Sequence, residues 1–279
     1  MREDGVAPAP SDEVSAGTSA DESRYGSATG GNGICRIPVS SVALLMADGR
    51  FPAGGYAHSG GLEGAVDDGA LHDLASLRAF LEGRLWTIGL FTGCFAVAAW
   101  MLVLQNNISA LGDMAVELDE PWNLLNKEAD ARIVSPVQRR TSRSLGRQLL
   151  RTSATIWPSP LLSRLNAALD EGVHYPVAIG ACAAIAGLSV EEAALIGAYG
   201  SVVTPAFASL KLLGLDPAKV TALIAEFSTQ IDQVASVAVN AARSEAALRN
   251  WAGLPAPASP LLDYYSGVHA EMEVRLFAS

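Results

Sequence analysis

From Leu85 to Leu104 the chain runs for 20 residues without a formal charge. As a helix rising 1.5 Å per residue, such a run is about 30 Å long, the thickness of a bilayer's hydrocarbon core. Two architectures accommodate it. One is a membrane span; the other is the central helix of a large bundle, apolar all round because it is covered all round. Gly89, Gly93, Thr87 and Thr92 dilute the run. The later apolar stretches, 176–190 and 193–215, are broken by Gly, by Ser189-Val190-Glu191-Glu192 and by Pro205. We therefore expect a buried hub, the alternative being a small integral membrane protein with spans near 85–104 and 176–213.

The rest of the chain reads as helices around that hub. With 279 residues, 50% hydrophobic, it can bury a sizeable core. Ser40-Ser41 opens a short helix, Ser59 caps a second through Glu63 and Val66, and Asp73 starts a longer one. In that one Leu74, Leu77, Phe80, Leu81, Leu85 and Ile88 keep helical spacing, with Gly83, Gly89 and Gly93 as close-packing or bending points. Further helices are expected at 110–117 and 122–133. Ser135-Pro136-Val137-Gln138 reads as a capping box that opens a helix to about Ile156, and Ser159-Pro160 starts one through Asp170. His174-Tyr175-Pro176 begins the next, and Ser189 with Glu192 caps a helix that Pro205 should kink or end at Thr204. Asp216-Pro217 opens the longest amphipathic helix, to about Trp251.

No segment alternates convincingly as a strand. The expected fold is all-α, a single-domain multi-helix bundle of roughly nine to eleven helices with a disordered N-terminal tail. Residues 1–37, rich in Ser, Gly, Asp and Glu, form that tail. Residues 38–253 form the helical domain and 254–279 a C-terminal segment, which ends in the apolar and basic Arg275-Leu276-Phe277-Ala278-Ser279.

Charge and side-chain chemistry narrow the function. A net charge of −10 argues against a nucleic-acid binder. Three cysteines without a C-x-x-C pair suggest neither a disulfide framework nor a zinc knuckle and fit a cytoplasmic location. The four histidines lack metal-ligand spacing and read as structural, so no metal site is assigned. There is no G-x-S-x-G and no G-x-x-x-x-G-K-[ST], so catalysis and nucleotide binding have no visible carrier, although a diffuse enzymatic site around His58 and Glu63 stays open.

Two features point to partners instead. Residues 50–63, Arg50-Phe51-Pro52-Ala53-Gly54-Gly55-Tyr56-Ala57-His58-Ser59-Gly60-Gly61-Leu62-Glu63, form a glycine-rich turn, either a tight helix connection or a docking loop. Arg139, Arg143, Arg147 and Arg151 repeat at i, i+4 with Arg140 beside them. That ridge is either a solvated face or a surface for an acidic protein.

At these residues a family resemblance emerges. The 50–63 stretch resembles the P-x-G-aromatic-small-x-S-x-G-L-E signature of the urease accessory protein UreF family. Arg140-Thr141-Ser142-Arg143-Ser144-Leu145-Gly146-Arg147 is similar to its R-x-S-R-x-x-G-R helix, and His174-Tyr175-Pro176-Val177 to its H-x-P-V. His269 with Arg275-Leu276-Phe277-Ala278-Ser279 resembles its H-…-R-L-F-x-S terminus. The chain departs from the family pattern in the uncharged 88–100 helix, at Gly214-Leu215 and at Ala270-Glu271-Met272-Glu273.

The resemblance implies an all-helical, homodimeric, non-enzymatic urease maturation factor. It would bridge UreD (also called UreH) and the GTPase UreG and regulate GTP-dependent nickel insertion into the urease apoprotein. Nickel and GTP would be handled by the partners, with no cofactor bound here, no nucleic acid and no membrane. The implied contact residues are Arg50, Pro52, Gly54, Tyr56, His58, Ser59 and Glu63 of the turn and Arg139, Arg140, Arg143 and Arg147 of the ridge. His269, Arg275, Leu276 and Phe277 of the terminus complete the set, the last two as anchors on UreD.

Overall fold

The computed structural model describes Met1 and residues 37–105, 119–168, 171–248 and 250–278. Residues 2–36 of the expected tail and the helix expected at 110–117 lie outside the described residues. The protein is all-α: among the described residues there is no strand. Its helices are α1 (Ser41–Ala47), α2 (Leu62–Asp67), α3 (Leu74–Arg84), α4 (Leu90–Gln105), α5 (Asp119–Arg132), α6 (Pro136–Ile156), α7 (Pro160–Ala168), α8 (Tyr175–Ile185), α9 (Val190–Leu212), α10 (Pro217–Glu226), α11 (Ser228–Leu248) and α12 (Pro260–Glu271). A π turn, Leu85–Gly89, joins α3 to α4, so that Leu74–Gln105 is one 32-residue rod.

The uncharged run is the hub. Helix α4 packs against α8, α9 and α11, and its residues Phe91–Ala99 are all buried. Small side chains make this possible. Gly180 of α8 lies so close to α4 that a Cβ there would overlap the carbonyl oxygen of Ala96, and a Cβ on Gly93 would crowd Ala238 of α11. Close approach of whole helix faces gives the dense packing that offsets the ordering of a long rod. Leu74–Gln105 and Val190–Leu212 are long and apolar enough to cross a membrane, but two thirds of each apolar window is buried inside the protein. The membrane reading is therefore not favoured.

A second core lies beside the first. Leu62 of α2, Leu77 and Leu81 of α3, Val220 and Leu223 of α10, Leu262 and Tyr265 of α12 and Phe277 near the C-terminus pack together there. Helix α12, which the sequence reading did not resolve, bridges α2 and α6.

Several expectations are corrected. Pro205 does not end its helix: α9 continues to Leu212. Proline has no N–H for the Ser201 carbonyl four residues back, and Arg84 Nε supplies the missing donor at 2.9 Å. The helix expected over 216–251 is two, because the chain turns at Phe227, whose amide donates to the Leu223 and Ile224 carbonyls while its ring is buried. Ser135 caps α6 by accepting from the Gln138 amide at 3.4 Å, but the Gln138 side chain reaches Leu262 O at 3.1 Å instead of closing the box. Gly61, with φ 89°, occupies the N-cap of α2 in place of Ser59, whose hydroxyl still accepts from the Glu63 amide at 3.2 Å. Gly89 and Gly93 are close-packing points, whereas Gly83 has open space around it.

Candidate functional site

The glycine turn is fixed from both ends. Phe51 is buried and stacks on Trp157, and the exposed Pro52 offers its carbonyl to Gln148 Nε2 at 3.1 Å and Thr152 Oγ1 at 2.8 Å, both on α6. Gly54 (φ 85°), Gly60 (φ 67°) and Gly61 (φ 89°) take left-handed backbone that other residues adopt only with strain. Between them Gly55–Ala57 forms a short 3-10 turn that presents Tyr56 to solvent at 72% exposure. Arg50 is exposed and pairs with Asp48 at 2.6 Å, and this hydrogen bond holds the Asp48 carboxyl at about 2.

Below the turn Glu63 acts as a latch. Its carboxylate, 3% exposed, accepts from Leu276 N–H at 2.6 Å and Phe277 N–H at 3.1 Å, and from His269 Nε2 at 2.9 Å. A carboxylate can only accept, so the facing imidazole nitrogen carries the proton. The Ala278 amide adds a bond to the Ala57 carbonyl at 2.7 Å. Phe277 is buried with Lys211 Nζ 5.7 Å from its ring, Leu276 is 68% exposed, and Arg275 is held by the Ala270 and Met272 carbonyls. His58 is half-buried; burial and the neighbouring His269 lower its pKa.

The arginine ridge is tied inward more than its spacing suggests. Arg143 bonds Asp130 of α5 at 2.6 Å and Glu171 at 2.7 Å, and Arg139 donates to the Ile133 carbonyl at 2.8 Å. Arg147 is exposed and donates to the Glu171 carbonyl at 3.0 Å, and Arg151 to the Gln148 side chain at 2.6 Å. Arg140 faces solvent. The acidic partners come from other segments, which is why no i, i+4 pattern announced them.

Behind Asp130 lies a buried polar network. His174 Nε2 is 3.2 Å from Asp130 Oδ1, and its Nδ1 is 3.1 Å from the Ser142 hydroxyl, which accepts the Tyr175 amide at 3.1 Å. Asn126 Oδ1 accepts the His174 amide at 2.9 Å. Burial, reinforced by the Arg143 cation, lowers His174 to about 4.

The four sequence motifs thus meet in two pairs. The turn meets the C-terminus through Glu63 and Ala57, and the arginine helix meets the 174–177 segment through Ser142 and through Gly146, where a Cβ would overlap the Val173 carbonyl. The two pairs adjoin at Gly54, whose added Cβ would touch Leu145 at 3.5 Å. Asp130, Asn126 and Glu171 were not among the expected site residues, since nothing local in the sequence links them to the arginines or to His174. Among the described residues no group of three or more His, Cys, Asp or Glu is placed to hold a metal, and burial pushes the Cys94 and Cys182 thiols up to about 12.

The family model described as UreF matches residues 71–228. The urease accessory protein UreF of Mycobacterium marinum is 36% identical over 239 residues, covering 86% of this chain and 98% of that protein. Its namesake in Mycobacterium tuberculosis is 34% identical over the same 239-residue length and coverage. The namesake in Mycolicibacterium vanbaalenii is 35% identical over 243 residues, 86% of this chain and 100% of that protein. The chain belongs to the UreF family of urease accessory proteins.

Proposed function

We propose that this chain is a non-enzymatic scaffold of urease maturation that bridges UreD and the GTPase UreG and regulates GTP-dependent nickel insertion into apo-urease. On this reading it works in the cytoplasm as a homodimer and leaves nickel and GTP to its partners. The observation that carries the proposal is the latch. Glu63 and Ala57 hold the C-terminal segment against the glycine turn, so that exposed Tyr56 and Leu276 belong to one rigid feature. Exposed aromatic and aliphatic side chains on a fixed backbone bind partners with little loss of conformational entropy. Arg140, Arg147 and Arg151, the exposed members of the ridge, offer charge for an acidic partner surface, which sets association rate and specificity more than affinity.

The test is co-purification from cells expressing the whole urease operon. The tagged wild-type chain should bring down UreD and UreG. The Tyr56→Ala, Leu276→Asp double variant should lose UreD while keeping its helical circular dichroism. Undiminished capture by that variant would contradict the assignment of the docking face.

A further inference from the structure

Beneath the glycine turn lies a cavity of about 210 Å³, bounded by the α3–α4 junction, α6, α8, α9 and α12. Among the described residues no Asp or Glu lines it. Its ionisable groups are His58, Arg84 and His269, together with the Tyr175 phenol, which burial keeps neutral by raising it to about 12. In a chain of net charge −10 this leaves Arg84 as the standing cation of the chamber.

Arg84 is its centre. Nε donates to the Ser201 carbonyl at 2.9 Å and Nη1 to the Gly60 carbonyl at 2.6 Å, both neutral acceptors. Nη2 has no hydrogen-bond acceptor among the described residues and lies against Gly60, where a Cβ would approach it to 3.0 Å. Desolvation alone lowers the guanidinium to about 10, with no carboxylate offsetting it. Arg84 is half-buried, and a partly desolvated charge without a counter-charge is costly; an anionic ligand removes that cost. The Thr141 and Thr204 hydroxyls also reach the cavity and make no hydrogen bond to described residues.

The remaining wall is largely apolar, including Ile88, Phe91, Leu145, Ile179 and Ile196. A multiply charged inorganic anion would find too few donors there. An apolar cavity of about 150 Å³ holds benzene, so this one has room for a ring with a charged substituent. We propose that the cavity binds a small monocarboxylate with a compact apolar body, its carboxylate on the free edge of Arg84.

The probe is benzoate, with benzamide as its neutral isostere and sulfate as the inorganic anion. Calorimetry of the full chain should show one benzoate per chain and at least about tenfold weaker benzamide, as loss of one charge-assisted bond predicts. Benzoate at about 100 times its Kd should raise Tm by about 5 °C, and sulfate should not. Arg84→Gln should abolish the preference for acid over amide. Because Arg84 also supports the Ser201 carbonyl, Thr141→Leu provides a second route, filling the cavity with the cation intact and weakening benzoate by at least about tenfold. Equal binding of benzamide, no response to benzoate, or unchanged benzoate binding in Thr141→Leu would overturn the proposal.

Discussion

Glu63 sits almost fully out of solvent and accepts from two amides and an imidazole that bond no other acceptor among the described residues. Removing the carboxylate strands all three donors. We therefore predict that Glu63→Ala costs about 3 kcal/mol, measured by denaturant unfolding. It should also make the chain after His269 cleavable by protease at Arg275, while the rest of the protein stays resistant. His174 gives a pH signature. Its imidazole titrates at 6.5 when unfolded but only at about 4 when folded, chiefly because it is buried. Between those values the unfolded chain binds more protons, so stability complete above pH 6.5 declines as pH falls toward 4. The loss should reach about 3 kcal/mol, and in His174→Gln that slope should disappear from urea midpoints measured across the range. Glu63, His269 and Phe277 were legible in the sequence as motif members. Their mutual contact was not, because Glu63 and His269 lie 206 positions apart and no periodicity spans that distance.

The helices were more legible than their joints. Leu85–Leu104 announced a buried hub by lacking charge, and Ser135, Ser189 and Asp216 announced helix starts by local capping chemistry. Of the two outcomes expected at Pro205, the ending fails because Arg84 reaches across from α3 and donates to the orphaned Ser201 carbonyl. The break at Phe227 was hidden because the apolar period of α10 continues into α11, both feeding the second core. Glycines separate into two kinds that sequence cannot tell apart. At Gly180 any side chain meets the α4 backbone, so Gly180→Ala should cost more than about 3 kcal/mol. Gly83 is exposed within α3 with nothing nearby, so Gly83→Ala should stabilise by about 0.5 to 1 kcal/mol. Parallel thermal melts of the two variants would check both signs.

In the assembled molecule, α4 packs with α8, α9 and α11 as the core, and the signature residues gather on one flank of it. The glycine turn and the C-terminus form one half of that flank, and the arginine helix with the 174–177 segment forms the other. Residue spacing could show four motifs in order but not that they meet in pairs, since the pairing depends on how α6 and α12 cross the bundle. Belonging to the UreF family places the chain among urease accessory proteins, and the latch suggests where a partner would land. Hydrogen–deuterium exchange of the chain with and without UreD is the most direct test. Slowed exchange at residues 54–58 and 274–278 on adding UreD is the predicted result; unchanged exchange there, with slowing confined to other segments, would contradict the docking face assigned to the latch.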